Sequence, residues 1–242
     1  MPYHLDERLA DFTVGVPVDH EVVVDLPEAG PWARMAALYE QVAAVVSEQA
    51  EPPLVFSGDC TTSLGVLAGL QRAGHEVGIV WFDAHADFHT EATSTSGYLG
   101  GMPLALAAGV GTLTLPDALG LRPVPSSSVV LVDARDTDPG EHVLLADSQV
   151  TVTSVQDLEA ALPPGPLYLH VDVDVLDPGE LPDLRYPASG GPPAAQVLAA
   201  VSRVMATGRV AATGVAATWH HRSASDPAHH RVAQRLAGMA RG

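Results

Sequence analysis

Val77–Asp87 reads VGIVWFDAHAD, an unbroken apolar run that changes abruptly into Asp83, His85 and Asp87 at two-residue intervals. A continuous rather than alternating apolar run marks a strand buried on both faces, the kind found in parallel sheets. Side chains two apart leave the same side of an extended chain. The stretch therefore predicts a buried strand whose end presents two carboxylates and an imidazole on one face.

Outward from this strand the same rhythm recurs. EVVVDLP (Glu21–Pro27), PLVFSGD (Pro53–Asp59), SVVLVDAR (Ser128–Arg135), QVTVTS (Gln149–Ser154), LYLHVDVDV (Leu167–Val175) and RVAATGVAATW (Arg209–Trp219) all read as strands. Between them lie segments with apolar residues at helical spacing: Pro31–Ala50, Thr61–Gly74, Met102–Ala108, Pro139–Ala146, Val155–Leu162, Pro192–Gly208 and His229–Gly242. Strands alternating with helices, and few hairpin signals, predict an α/β protein. The expected form is a three-layer α/β/α sandwich with a mainly parallel sheet, built as a single domain over residues 1–242.

Composition narrows the function. The 12 basic residues against 29 acidic ones give a formal charge of −17, so no basic footprint exists for nucleic acid or an anionic membrane. A small molecule is the expected partner. Cys60 is the one cysteine, which excludes an internal disulfide. The start MPYHLDERLADF has neither a basic n-region nor an apolar h-region, and a cytoplasmic protein is expected.

Three of the predicted strands end in groups that bind metals: Ser57–Cys60 (SGDC), Asp83–Asp87 (DAHAD) and His170–Pro178 (HVDVDVLDP). Functional side chains of parallel sheets gather at these carboxyl ends. Carboxylates ending buried strands need compensation, and basic residues are few. Asp-rich sets with an imidazole favour hard or borderline ions such as manganese. So many carboxylates suit two ions, which can generate hydroxide from a bridging water at neutral pH. The chemistry predicted is hydrolysis. Cys60, directly before a predicted helix start, is placed to ligate as a thiolate. Asp59 is expected to orient the loop or a ligand, Asp177 a turn. His170 is expected to be a buried, hydrogen-bonded histidine; Arg135 and Asp136 could reach the site mouth, an interior salt bridge being the simpler reading.

Taken in order, the GD element, DAHAD and DVDVLDP resemble the ureohydrolase family of arginases, agmatinases and formimidoylglutamases. The resemblance implies an arginase-like α/β/α fold, a two-manganese centre, hydrolysis of C–N bonds in linear amidines or guanidino compounds by a metal-bridging hydroxide, and a homo-oligomer. Carried across, Asp83 and Asp172 match bridging carboxylates, Cys60 and Asp87 match ligands of the first metal, and His85 and Asp174 match ligands of the second. Cys60 replaces a histidine, so the first site is expected to be weak or to hold another divalent metal. Ser96–Pro103 (SGYLGGMP) resembles the family's SGNLHGMP loop. Ser96 then contacts substrate, Tyr98 replaces an Asn beside it, and Gly100 stands where the family carries a proton-shuttling histidine. His89 stands where arginases bind the substrate carboxylate; a surface histidine is the alternative. Toward the C-terminus, GVAATWHHRSASDP (Gly214–Pro227) puts Trp219 or His220 where the family holds the guanidinium with a glutamate. His220 and His221 follow, either as proton donors to the leaving amine or as a polar strand-to-loop junction. The Cys60 position and the GYLGGM loop resemble most the Nω-hydroxyarginine hydrolases of the family. These departures also leave open a catalytically impaired protein of the same fold with a binding or regulatory role.

Overall fold

The computed structural model describes all residues except 11, 182, 217–230, 233, 236, 237 and 239–242. The strands are β1 (Tyr3–His4), β2 (Glu7–Arg8), β3 (Leu54–Ser57), β4 (Gly78–Phe82), β5 (Val129–Val132), β6 (Thr151–Thr153), β7 (Leu167–Asp172) and β8 (Val210–Ala216). The α-helices are α1 (Pro31–Ser47), α2 (Ser63–Arg72), α3 (Pro103–Ala107), α4 (Thr114–Ala118), α5 (Pro139–Asp147), α6 (Leu158–Ala161) and α7 (Ala194–Met205). β1 and β2 pair as a small antiparallel ladder, while the other strands form one parallel sheet in the order β3-β8-β7-β4-β5-β6.

Parity along the strands sorts the core into two layers. Ile79 and Trp81 of β4 and Tyr168 of β7 pack with residues of α1, α2, α3 and α4. Val80 and Phe82, with Leu167, Leu169 and Val171, pack with α6 and α7 on the other face. The sheet is thus covered on both sides, as the continuous apolar runs require. Pro31, in the first turn of α1, loses no needed hydrogen bond there. Among the described residues no helix is long and apolar enough to cross a membrane.

Several predicted boundaries move, for physical reasons. Glu21–Pro27 keeps its one-sided burial, with Val22, Val24 and Leu26 against the core, yet it forms no strand. Its backbone is held by a side chain instead: Val24 N donates to Tyr3 Oη at 3.1 Å, and Tyr3 Oη donates to Val24 O at 3.2 Å. β4 stops at Phe82 and β7 at Asp172, so Asp83–Asp87 and Val173–Val175 are turns and a 3-10 helix, not extended chain. The terminal helix is seen at residues 231, 232, 234, 235 and 238; its remaining positions, and the end of the last predicted strand from 217 onward, lie outside the described residues.

Candidate metal centre

One turn is used three times at the carboxyl edge of the sheet. After β3, Asp59 Oδ1 accepts from Thr61 N at 2.7 Å; after β4, Asp83 Oδ1 accepts from His85 N at 2.7 Å; at the end of β7, Asp172 Oδ1 accepts from Asp174 N at 2.9 Å. An Asp that bonds the backbone two residues on competes with the ladder and breaks the strand. For Asp83 and Asp172 this leaves the second oxygen directed toward Cys60. The residues predicted to share a face by strand parity are brought together by these turns instead.

Two donor clusters result, sharing Asp83. In the first, Cys60 Sγ lies 2.9 Å from Asp172 Oδ2, 3.3 Å from His170 Nε2 and 3.9 Å from Asp83 Oδ2. In the second, His85 Nδ1 lies 3.0 Å from Asp174 Oδ2 and 3.5 Å from Asp83 Oδ1. Asp87 lines the same cavity and sits in the left-handed backbone region at φ 50°, its carbonyl accepting from Leu104 and Ala105 N at the head of α3. Asp87 Oδ2 is buried and has no hydrogen-bond partner among the described residues.

The electrostatics describe a site with surplus negative charge. Burial, then the neighbouring carboxylates, pushes Asp172 and Asp87 well above the usual carboxyl range. Burial and then Asp83 raise Asp174 to about 6. Burial followed by Asp172, Asp87 and Asp83 drives the Cys60 thiol upward. His85 is the local counter-charge: burial alone would lower it, but hydrogen bonds to Asp174 and Asp83 raise it to about 12. Burial would likewise raise Asp83, and His85 outweighs that and lowers it. His170 is kept neutral, burial taking it down to about 3. A buried, orphaned carboxylate oxygen among crowded carboxylates, a thiol and a neutral imidazole is the donor set that divalent cations satisfy. The residues fit such ions.

The clusters floor a cavity of about 490 Å³ whose wall includes Asp59, His89, Ser94, Ser96, Tyr98, Asp136, Asp138, Glu141 and Tyr186. A larger hollow of about 630 Å³ lies between residues 12–22 and α1, but its lining is mostly aliphatic and holds none of the clustered donors. His89, on the cavity wall, is clamped by Asp138 Oδ2 at 3.1 Å, Glu141 Oε2 at 3.6 Å and Thr93 Oγ1 at 3.1 Å. Ser96 Oγ accepts from Tyr98 N at 3.2 Å. Tyr98 bonds His4 Nε2 through its hydroxyl at 2.9 Å and leans on Tyr186 with ring centroids 5.3 Å apart. A Cβ at Gly100 would run into the Tyr98 ring, so the phenol fills the space a residue-100 side chain would need. Asp59, besides turning its loop, accepts from Leu5 N at 2.5 Å.

The predicted salt bridge of Arg135 with Asp136 does not form. Arg135 instead donates to the carbonyls of Val175 and Asp174 at 3.1 Å each and Ala188 at 2.9 Å, clamping the loop behind the site. Asp136 faces the cavity, with Oδ2 3.9 Å from His85 Nε2. Trp219, His220 and His221 lie outside the described residues. Sequence reasoning missed Trp81, Glu141, Asp138, Tyr186 and His4. Trp81 was within reach of parity, two residues before Asp83 on the same face; the others arrive from distant loops and carried no local signal.

The model of the arginase family matches residues 3–218. The chain belongs to the arginase family. Among relatives of this arginase-family chain, the arginase of Bacillus subtilis is 31% identical over 211 residues, 78% of this chain and 71% of that protein. The N(omega)-hydroxy-L-arginine amidinohydrolase of Streptomyces lavendulae is 34% identical over 186 residues, 74% of this chain and 66% of that protein. The match to the Bacillus caldovelox arginase spans 56% of that enzyme's length. In three dimensions the Bacillus caldovelox arginase superposes with a TM-score of 0.79 at 26% identity, covering 90% of this chain and 81% of that one. The formimidoylglutamase of Bacillus subtilis shares the fold, with a TM-score of 0.66 at 17% identity over 89% of this chain and 70% of that one. The arginase-family parallel sheet with helices on both faces is thereby established.

Proposed function

We propose that this arginase-family protein is a metal-dependent hydrolase, cleaving a C–N bond of a linear amidine, guanidino or N-hydroxyguanidino compound. The observation that carries the proposal is the pair of donor clusters sharing Asp83 beneath a cavity of about 490 Å³. Cys60, Asp83, Asp87 and Asp172 would hold one divalent ion, and Asp83, His85, Asp172 and Asp174 the other, with manganese the expected metal. When bound, such ions supply Lewis acidity and bring the pKa of water toward neutrality.

The chain's own residues position and hold charge around that chemistry. The indole of Trp81 donates to Asp83 and keeps it aimed at the clusters. Asp136 and Asp138 on the rim, with buried Glu141 behind His89, offer negative charge to a cationic substrate end. They supply in part what a carboxylate near Trp219 would otherwise provide. His89, Ser96, Tyr98 and Trp219 are proposed to contact substrate, and His220 or His221 to protonate the leaving nitrogen. We take the protein to act as one cytoplasmic domain that self-associates. Incubation with a panel of guanidino, N-hydroxyguanidino and formimino compounds plus manganese, scoring urea or amine release, tests the proposal. Turnover with none of them above the chelated control overturns it.

The Tyr98 ring filling the space beside Gly100 favours a second reading, a binding protein of the same fold with impaired catalysis. That reading expects no turnover in the same panel together with unchanged binding of one of its members.

A further inference from the structure

Cys60 Sγ faces three metal-ligating atoms at once: Asp172 Oδ2 at 2.9 Å, His170 Nε2 at 3.3 Å and Asp83 Oδ2 at 3.9 Å. The thiol hydrogen serves Asp172 and the Trp81 indole serves Asp83, but neither accounts for a thiol, two carboxylate oxygens and an imidazole nitrogen drawn together in one buried spot. A cation among the four would be bound by all of them. Ligands bound at about 2.0–2.3 Å to a single zinc-type ion stand roughly 3–4 Å from one another; the three distances from Cys60 Sγ are of that size, and the ligand atoms of Cys60, Asp83 and His170 all lie within 4.8 Å of one another. We propose that His170 is a ligand of the first metal, and that Cys60 and His170 form a thiolate–imidazole pair, completed by Asp83 and Asp172, that selects a zinc-type ion over manganese. The proposal rests on the metal-dependent reading above and assigns to His170 a role beyond that of a hydrogen-bonded core histidine.

The surroundings of His170 are those of a ligating imidazole. Its Nδ1 is taken by Ser63 Oγ at 3.0 Å, with Tyr168 Oη at 3.3 Å, so Nε2 is the nitrogen left toward Cys60. Metal-binding histidines characteristically have the far nitrogen held in this way, which fixes ring orientation. The ring is also stacked on Trp81, centroids 3.7 Å apart at 23°. On the neighbouring strand, Gly214 pairs in register with His170, and a Cβ there would meet Tyr168 Oη and come within 3.3 Å of His170 Nδ1. The missing side chain makes room first for the Tyr168 hydroxyl, which lies 3.3 Å from His170 Nδ1. An independent observation points to a cation beside this set: Asp87, which lines the same cavity as Cys60, Asp83 and Asp172, has a buried Oδ2 without a hydrogen-bond partner among the described residues.

The two clusters then differ in kind. Sulfur with nitrogen favours zinc, iron(II) or cobalt(II), whereas Asp83, His85 and Asp174 offer oxygen and one nitrogen and suit manganese. The protein would load two different ions side by side, with Asp83 between them.

The test uses the full chain stripped with chelator, loaded with manganese and then one equivalent of zinc or cobalt(II). Zinc-edge X-ray absorption of the wild type is expected to show a sulfur and an imidazole in one shell, a measurement that needs no variant. Cobalt loading is expected to give a thiolate charge-transfer band that Cys60→Ser abolishes. His170→Gln is expected to remove the imidazole scattering and to weaken zinc binding beyond the roughly 10–100-fold that loss of an outer hydrogen-bond partner costs. Manganese retention at the His85 cluster should stay unchanged in that variant. Sulfur without imidazole at the wild-type zinc edge, imidazole scattering that survives His170→Gln, or a loss within that range overturns the proposal. These readouts require no substrate, so a protein that fails every turnover assay can still show them, and an active one can still lack them.

Discussion

The indole Nε1 of Trp81 donates to Asp83 Oδ2 at 3.0 Å while the same ring lies 3.7 Å from the His170 ring, centroid to centroid. One fully buried side chain therefore aims the carboxylate shared by both clusters and backs the imidazole of one. Trp81→Phe keeps an aromatic ring against His170 but leaves Asp83 short of a donor. The expected cost is about 1–3 kcal/mol of stability, from the unsatisfied oxygen and lost packing. Metal affinity should fall roughly 10–100-fold, as for other partners that hold a ligand from behind. Thermal melts and metal titrations of the variant check both. Unchanged metal affinity would mean that Asp83 needs no such support.

Metal removal should expose a pH dependence whose net sense is set by the raised carboxyls and His85, with His170, lowered to about 3, and the Met1 amine, lowered to about 6, opposing it in part. Asp174 is raised to about 6, and Asp172 and Asp87 are raised well above the usual carboxyl range. The folded chain thus holds protons that the unfolded chain releases near the ordinary carboxyl value of 3.8. Stability from these groups is complete below that value and is lost as pH rises through about 6 and beyond. His85, raised from 6.5 to about 12, acts in the same direction over a higher window. Chelator-treated protein should therefore melt at progressively lower temperature from pH 5 to pH 8. Divalent metal replaces those protons, so the gap between metal-loaded and chelated melting temperatures should widen with pH. A constant gap contradicts the charge balance described for the site.

Much of this was open to reading from residues alone, and the failures have physical causes. The apolar runs ending at Phe82 and Val171 read as buried parallel strands because they are short and continuous and recur between segments of helical spacing. Asp83, His85, Asp87, Asp172 and Asp174 stand out because charge at such strand ends demands compensation. The mechanism of their convergence was misread, since parity assumed extended chain where Asp83 and Asp172 each form a turn. Glu21–Pro27 has strand periodicity, but periodicity reports one-sided burial and not a ladder partner; Tyr3 supplies the hydrogen bonds instead. Glu141, 53 residues along the chain from Phe88, accepts from Phe88 N at 3.0 Å. Contacts between such distant segments leave no trace in spacing.

Gly214 gives a test of how tightly β7 and β8 are fitted. The conformation at this strand position needs no glycine, since its φ lies outside the left-handed region; the need is for space. An added methyl would overlap Tyr168 Oη and crowd His170 Nδ1. Gly214→Ala is expected to cost about 1–3 kcal/mol, the usual range for overpacking a filled core. Part of that strain should be relieved by Tyr168→Phe, which removes the clashing hydroxyl while keeping the ring. Denaturant titration of the single and double variants reads both effects. A fully tolerated Gly214→Ala would show that the strands can separate without consequence.

Tyr98 and Gly100 make the same kind of claim at the cavity wall. Gly100 too lies outside the left-handed region, and its missing side chain is explained by the Tyr98 ring, into which any Cβ would run. Tyr98 is in turn anchored by His4 through a 2.9 Å hydrogen bond. The two positions should therefore be exchangeable only together. Gly100→His alone is expected to destabilise the protein by about 1–3 kcal/mol, because the phenol cannot leave without breaking its bond to His4. With Tyr98→Asn in the same chain the histidine has room, and the pair should show a favourable interaction energy of about 0.5–3 kcal/mol relative to the sum of the single changes. A double-mutant cycle by chemical denaturation measures that coupling. Strict additivity would mean that the ring and residue 100 do not compete for one space, and the absence of a side chain at Gly100 would need another cause.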